Sequence, residues 1–93
     1  MVDFKKLSKI SNASGEIVAK EHPDYDQYVS HAFQLGFQGG YYYAENNPDY
    51  DTNNLDKVAE MYMKQANPYY TEEEKKAYIL GYKRAFSYVT NKK

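Results

Sequence analysis

The sequence predicts an all-α fold for this chain of 93 residues. Apolar residues recur at steps of three and four, and Pro- and Asn-containing turns separate the periodic stretches. No long stretch alternates polar and apolar residues as a half-buried strand would. The length indicates one small domain. We therefore expect an N-terminal arm over 1–20 and a single helical domain over 21–93.

An internal repeat organises the helical domain. Residues 22–43 align without a gap with residues 67–88, and each aligned pair lies 45 positions apart. The alignment matches Pro23 with Pro68 and Tyr25 with Tyr70. A repeat of this length predicts that the two segments adopt the same structure.

The N-terminal arm contains a weak helical pattern. Phe4, Leu7 and Ile10 lie at helical spacing, and Asp3 precedes them as an N-cap candidate. The segment 11–15, Ser-Asn-Ala-Ser-Gly, is typical of a loop. Two interpretations stay open: the arm docks on the helical domain, or it is a tail that becomes ordered on a partner.

The first long helix is predicted over about 23–45. Pro23 suits a first helical turn, and Asp24 and Asp26 favour a helix N-terminus. Glycines later in the segment disfavour helix. A break at Gly39–Gly40 followed by a strand is the alternative, but the second copy carries helix-forming Arg84–Ala85 there.

Two further helices are predicted after the Asn-Pro turn at 46–49. A helix over about 53–66 would be capped by Thr52 or Asn53. The last helix, over about 71–90, begins with a capping box in which Thr71 and Glu74 bond reciprocally to each other's backbone amides.

Small residues recur at every fourth position in both copies of the repeat, beside a parallel row of aromatic rings. A ridge of rings on one helix fits a groove of small residues on another, so the pattern predicts a close crossing related by a pseudo-twofold axis. Use of one copy for homodimerisation is the alternative. The small residues are Ala32, Gly36 and Gly40 in the first copy and Ala77, Gly81 and Ala85 in the second.

Composition excludes some classes of protein and favours others. The chain has 12 Tyr and 4 Phe, more rings than a small core needs, so some tyrosines should lie at the surface. It has no Cys, which excludes disulfides and thiolate metal sites. No apolar run is long enough for a membrane span and no signal-peptide pattern is present, so we expect a cytoplasmic protein with no membrane partner.

Charge is segregated along the chain. The net charge is +2 over residues 1–20, −7 over 21–60 and +4 over 61–93. This pattern indicates a polarised surface and a macromolecular partner.

Two blocks of the sequence resemble a known family. The first is Pro68-Tyr69 followed by Tyr78, Gly81-Tyr82 and Ala85; the second is Ala32 followed by Gly36-Phe37-Gln38 and Gly40. Their spacing is similar to that of ribosome modulation factor, a short bacterial protein. The resemblance implies two helices joined by a linker, no catalysis, and binding to the small ribosomal subunit that promotes hibernation.

Two candidate surfaces follow, one basic and aromatic, the other acidic. The first would bind the ribosome or RNA and make the protein a small non-catalytic regulator. The second would make it a protein inhibitor of a nucleic-acid enzyme or host-defence complex, and a phage origin is part of this alternative hypothesis. The basic–aromatic surface comprises Lys75, Lys76, Tyr78, Tyr82, Lys83, Arg84 and Tyr88. The acidic surface comprises Asp24, Asp26, Glu45, Asp49, Asp51 and Asp56.

No catalytic or metal motif is recognisable. Residues 49–60 partly match a calcium-binding loop, but Asn54 stands where that loop requires Gly, so a turn that caps the next helix is the simpler interpretation. His22 and His31 are too far apart in sequence to share a helix face as ligands. We expect no enzyme activity, no cofactor and no metal. Small-ligand binding by tyrosine clusters is a third functional hypothesis.

Overall fold

Four helices make up the regular structure in the part of the chain that the computed structural model describes, residues 3–47 and 54–91. They are α1 (Phe4–Glu21), α2 (Gln27–Asn46), α3 (Leu55–Ala66) and α4 (Glu72–Asn91). The predicted all-α class is confirmed. None of these helices combines the length and the apolar character that a membrane span requires.

The first helix is longer than predicted. The loop expected over 11–15 is wrong, because α1 is continuous from Phe4 to Glu21. Ser11 is fully buried and its hydroxyl donates to the carbonyl of Gln34 on α2 at 3.4 Å. Gly15 packs against the Gln34 side chain. This packing on α2 outweighs the weak helix propensity of the segment.

The second helix begins four residues later than predicted. Pro23 lies in a turn, and Asp26 is the N-cap, with its carboxylate accepting from the amide of Val29 at 2.9 Å. The alternative of a strand after Gly39–Gly40 is wrong, because the helix continues to Asn46.

The caps of α3 and α4 differ. Thr52 and Asn53, the predicted caps of α3, lie outside the described residues, and Asn54 occupies the N-cap without a side-chain hydrogen bond. The predicted capping box of α4 is confirmed. The amide of Thr71 donates to Glu74 Oε1 at 3.0 Å, and the amide of Glu74 donates to Thr71 Oγ1 at 3.2 Å.

Helices α2 and α4 make the largest contact in the molecule and run in the same direction. Gly36 faces the backbone of Tyr78, and Gly40, one turn later, faces the backbone of Tyr82. A Cβ atom at either glycine would overlap a carbonyl oxygen of α4. The predicted close crossing is confirmed, and the six small residues assigned to it are all buried: Ala32, Gly36, Gly40, Ala77, Gly81 and Ala85.

The contact between α2 and α4 has the approximate twofold symmetry that the repeat predicts. Gly36 packs on Tyr78, and its counterpart Gly81 packs on Phe33, the counterpart of Tyr78. The helix bounds show the same relation, since α2 and α4 begin and end 45 residues apart, and α1 and α3 end 45 residues apart. Because α1 packs on α2 and α3 packs on α4, the structural repeat is a helical hairpin, longer than the aligned segments.

Each outer helix covers its own apolar cluster. Leu7 and Val18 of α1 pack in a cluster with Phe33 and Phe37 of α2. Residues Leu55, Ala59 and Met63 of α3 pack in a second cluster, which contains Tyr78, Tyr82 and Phe86 of α4. The core therefore consists of two halves, one on each side of the central helix pair.

Candidate binding groove lined by tyrosines

The structure divides the predicted basic–aromatic surface between core and surface. Tyr78 and Tyr82 are buried, with exposed fractions of 4% and 1%, so these two rings belong to the cluster beneath α3. Lys76 and Tyr88 are exposed. The aromatic part of the surface is therefore smaller than predicted.

Three cations of that surface form ion pairs with carboxylates of the same chain. Each pair is formally neutral, so these cations contribute less to an electrostatic field than their number in sequence suggests. All of these side chains are at least one third exposed, which limits the contribution of each pair to stability. The pairs are Lys75–Glu72 at 3.4 Å, Lys83–Asp56 at 3.1 Å and Arg84–Glu21 at 2.6 Å.

The predicted acidic residues are not gathered into one patch. Asp26 caps α2, and Asp24 is exposed in the turn before it. Glu45 is exposed at the opposite end of α2, and Asp56 pairs with Lys83 on α4. Asp49 and Asp51 lie outside the described residues, as do all of residues 49–53 of the candidate calcium loop. Within residues 3–47 and 54–91, no group of three or more His, Asp or Glu is placed to hold a metal ion.

A groove of about 470 Å³ lies between the C-terminal parts of α2 and α3 and the middle of α4. Tyrosine rings and amide side chains form most of its walls. Its lining residues are Gly39, Tyr42, Tyr43, Asn46, Asn47, Tyr62, Gln65, Ala66, Tyr78 and Tyr82. We call this feature the tyrosine groove.

The rings of the tyrosine groove contact one another in a continuous series. Tyr43 meets Tyr62 edge-on with ring centroids 5.9 Å apart, and Tyr62 stacks on Tyr82 at 6.2 Å. Tyr82 in turn stacks on Tyr78 at 6.4 Å. Tyr62 remains 38% exposed, so the series extends from the core to the surface. Tyr42, which is 53% exposed, lines the same groove.

Helical spacing brings together the groove residues that belong to α2. Gly39, Tyr42, Tyr43 and Asn46 follow one another at steps of three, one and three, which keeps them on one side of the helix. Tyr42, Tyr62 and Asn46 were not predicted from the sequence to belong to a binding site. The excess of tyrosine pointed to such a cluster, but its members come from three helices, so their proximity depends on the tertiary structure.

The amide oxygens of Asn46 and Asn47 are acceptors in the lining of the groove. Asn46 Nδ2 donates to the carbonyl of Tyr42 at 2.8 Å, and Asn47 Nδ2 donates to the carbonyl of Tyr43 at 3.1 Å. In both bonds the amide nitrogen is the donor, so the amide oxygen stays available as an acceptor. Asn46 and Ala66 are the last residues of α2 and α3, and the negative ends of two helix dipoles therefore lie at the groove.

Two phenols at the groove, that of Tyr78 in its lining and that of Tyr70 with its ring 6.0 Å from the Tyr78 ring, have pKa values above the ordinary value. Burial raises the pKa of Tyr78, and the charge of ionised Tyr70 raises it further. Burial also raises the pKa of Tyr70, with a smaller contribution from the carboxylate of Glu74. A neutral phenol at this place acts by stacking and hydrogen bonding, not as a base.

Comparison of the chain with protein-family models, with curated proteins and with solved structures finds no match in any of the three. The functional argument therefore rests on the residues and contacts of this chain.

Proposed function

We propose that the protein acts by stoichiometric binding to a basic protein partner, without catalysis, and that the tyrosine groove is the contact site. The observation that carries this proposal is the stacking of exposed Tyr62 on buried Tyr82, in a groove that exposed Tyr42 also lines. Tyrosine supplies a large rigid contact area and a polar hydroxyl, and it is enriched where proteins meet.

Charge favours a basic partner. Among the residues that the structure describes, no Lys or Arg lines the groove, and two helix C-termini place partial negative charge beside it. Glu45 is exposed on α2 next to Asn46. An acidic surface accelerates association with a cationic partner and loses this advantage as salt rises.

Proteins that bind nucleic acid are the partner class that this chemistry fits best. Their binding surfaces carry clustered Lys and Arg that neutralise phosphates. An acidic, tyrosine-rich protein bound to such a surface blocks it, so the proposed activity is inhibition of a nucleic-acid-binding protein by occupation of its binding surface.

Binding to the ribosome or to RNA, as the resemblance to ribosome modulation factor implies, is a second candidate. Exposed Lys76 and Tyr88 and the partly exposed Lys83 support it. It ranks below the first because Lys75, Lys83 and Arg84 already pair with carboxylates.

Capture of partners by the tagged protein tests the proposal. The bait is incubated with nuclease-treated extract of its host, as wild type and as Tyr42→Ser, which installs the residue found at the counterpart position 87. The matched control is Tyr28→Ser, because Tyr28 is 67% exposed and lies at the other end of α2. The captured protein is then purified and its binding measured by calorimetry.

We expect one protein to bind with 1:1 stoichiometry, with weaker binding at high salt. Tyr42→Ser should weaken binding by about tenfold, the loss typical of an important interface tyrosine, and Tyr28→Ser should leave it unchanged. Capture that disappears after nuclease treatment, with ribosomal RNA recovered from untreated extract, would support the second candidate instead. Equal binding by wild type and Tyr42→Ser would remove the groove as the contact site.

A further inference from the structure

The two sides of the molecule that the repeat relates differ in one respect: an arginine side chain covers an aromatic ring on one side, and the tyrosine groove lies on the other. Beside the first hairpin, the guanidinium carbon of Arg84 lies 5.8 Å from the centroid of the Phe33 ring. Arg84 Nη2 also forms an ion pair with Glu21 Oε1 at 2.6 Å. We call Arg84, Phe33 and Glu21 the arginine cluster.

The repeat relates the arginine cluster to three lining residues of the tyrosine groove. The counterparts of Arg84, Phe33 and Glu21, each 45 positions away, are Gly39, Tyr78 and Ala66. All three line the groove. The aromatic platform is therefore retained, whereas Gly39 has no side chain and Ala66 offers only a methyl group in place of the carboxylate.

We infer that the tyrosine groove binds the guanidinium group of an arginine side chain that a partner protein presents. The inference rests on the proposed function and names the group that the partner would insert. In the first hairpin the chain places its own guanidinium over the aromatic ring. On the counterpart side of the molecule, Tyr42, Tyr62 and Tyr78 line the corresponding space, and no Lys or Arg among residues 3–47 and 54–91 lines it.

The polar groups of the groove suit a guanidinium. A guanidinium is planar, so it stacks on an aromatic face while its five N–H groups donate in the ring plane. The side-chain oxygens of Asn46, Asn47 and Gln65 are acceptors at the rim. The C-terminal ends of α2 and α3 supply the partial negative charge that Glu21 supplies in the arginine cluster.

The groove also has more aromatic surface than the corresponding region beside the arginine cluster. Tyr42 and Tyr62 stand where the other hairpin has Ser87 and Ile17. Both rings are partly exposed. They extend the contact beyond a single guanidinium to the aliphatic stem of the arginine, which packs well on aromatic rings.

Titration of the labelled full chain with three small probes, followed by amide chemical shifts, tests the inference. The probes are N-acetyl-arginine amide, N-acetyl-lysine amide and N-acetyl-citrulline amide, the last being an uncharged analogue of arginine. We expect the arginine probe to shift the resonances of Gly39, Tyr42 and Gln65 with a Kd on the order of millimolar, the range expected for one side chain. The lysine and citrulline probes should bind several-fold more weakly.

Variants in which groove residues are replaced by their counterparts 45 positions away provide the matched test. The double variant Gly39→Arg with Ala66→Glu rebuilds the arginine cluster inside the groove, so it should keep its helical spectrum and lose binding of the arginine probe. Tyr62→Ile, which installs the counterpart residue, is a second variant that does not depend on the fit of a new arginine. It should weaken arginine binding several-fold, while Tyr28→Ser should bind as the wild type does.

The inference would be overturned by equal affinity for the three probes, by shifts outside the groove, or by no shifts at all. It would also be overturned if Tyr62→Ile bound the arginine probe as tightly as wild type. These outcomes are separable from the proposed function. If Tyr42-dependent partner capture persists while the arginine probe fails, the inference alone is wrong. If the probe binds but no partner is captured, the proposed function is wrong.

Discussion

Glycine at three positions determines how closely the central helices approach. An added Cβ at Gly36 would meet the carbonyl oxygen, carbonyl carbon and Cα of Tyr78, and at Gly81 it would meet the backbone of Phe33 and Phe37. Because backbone atoms of a helix cannot move individually, relief of these contacts requires the helices to separate. Gly40 has the same role against Tyr82.

Gly36→Ala is therefore expected to destabilise the protein despite the better helix propensity of alanine. We expect a loss of about 3 kcal/mol in the free energy of unfolding, as for overpacking in a tight core. Urea denaturation followed by circular dichroism measures it. The control is Gly39→Ala, where the new Cβ meets only side-chain atoms, the nearest being Tyr78 Oη at 3.3 Å. It should stay within about 1 kcal/mol of wild type, since helix propensity improves by up to that amount. Equal losses for the two variants would contradict the close-approach explanation.

The positions of two tyrosines were predicted only in part from the sequence. Helical periodicity placed Tyr78 and Tyr82 in the ridge of rings beside the small residues, and both are buried in the core. Their proximity in sequence to lysines also suggested a basic–aromatic surface, but both rings pack in the cluster beneath α3 and line the tyrosine groove. For these two tyrosines, helical periodicity predicted burial correctly, whereas proximity to lysines in the sequence did not, because periodicity indicates which side of the helix faces the core.

Local interactions determine the starts of both α2 and α4, but only the start of α4 was predicted correctly. The start of α4 was predicted from the Thr71–Glu74 capping box, whose two hydrogen bonds lie within the segment itself. The start of α2 was placed too early at Pro23. The amide of Tyr25 donates to the carbonyl of His22 at 3.0 Å and the two rings stack 4.5 Å apart, which holds this segment as a turn.

Thr71→Ala should shorten or destabilise the start of α4, because it removes an acceptor for the amide of Glu74. The expected loss is about 1 kcal/mol in the free energy of unfolding, measured by urea denaturation. Asn54→Ala provides the control, since Asn54 occupies the N-cap of α3 without a side-chain hydrogen bond. It should change stability by less than about 0.5 kcal/mol. A larger effect at Asn54 than at Thr71 would show that the capping box is not what stabilises the helix start.

At the scale of the whole molecule, the protein consists of two helical hairpins that pack through their second helices. The sequence shows the duplication clearly only in α2 and α4, because each of these helices is constrained by the crossing and by an outer helix. In α1 and α3, counterpart residues lie at equivalent positions but their side chains differ in chemical type. Ser11 bonds to Gln38 at 3.3 Å in one hairpin, and their counterparts Asp56 and Lys83 form an ion pair at 3.1 Å in the other.

The candidate site arises where this symmetry fails. On one side of the molecule, the ion pair of Arg84 with Glu21 covers the Phe33 ring. On the counterpart side, Gly39 and Ala66 have no such side chains, and the tyrosine groove is present there. The sequence contained all of these residues, but their relation becomes visible only when the hairpins are superposed. This is why the groove was not predicted, although the repeat and the surplus of tyrosine were both recognised.

Nuclear Overhauser effects between α2 and α4 test the central claim most directly, namely that the duplicated helices cross in parallel through counterpart glycines. The structure predicts contacts from the α-protons of Gly36 to Tyr78, of Gly40 to Tyr82 and of Gly81 to Phe33. Contacts of Gly36 with Tyr82 and of Gly40 with Tyr78 would instead indicate antiparallel helices. That result would contradict both the approximate twofold relation and the correspondence between the arginine cluster and the tyrosine groove.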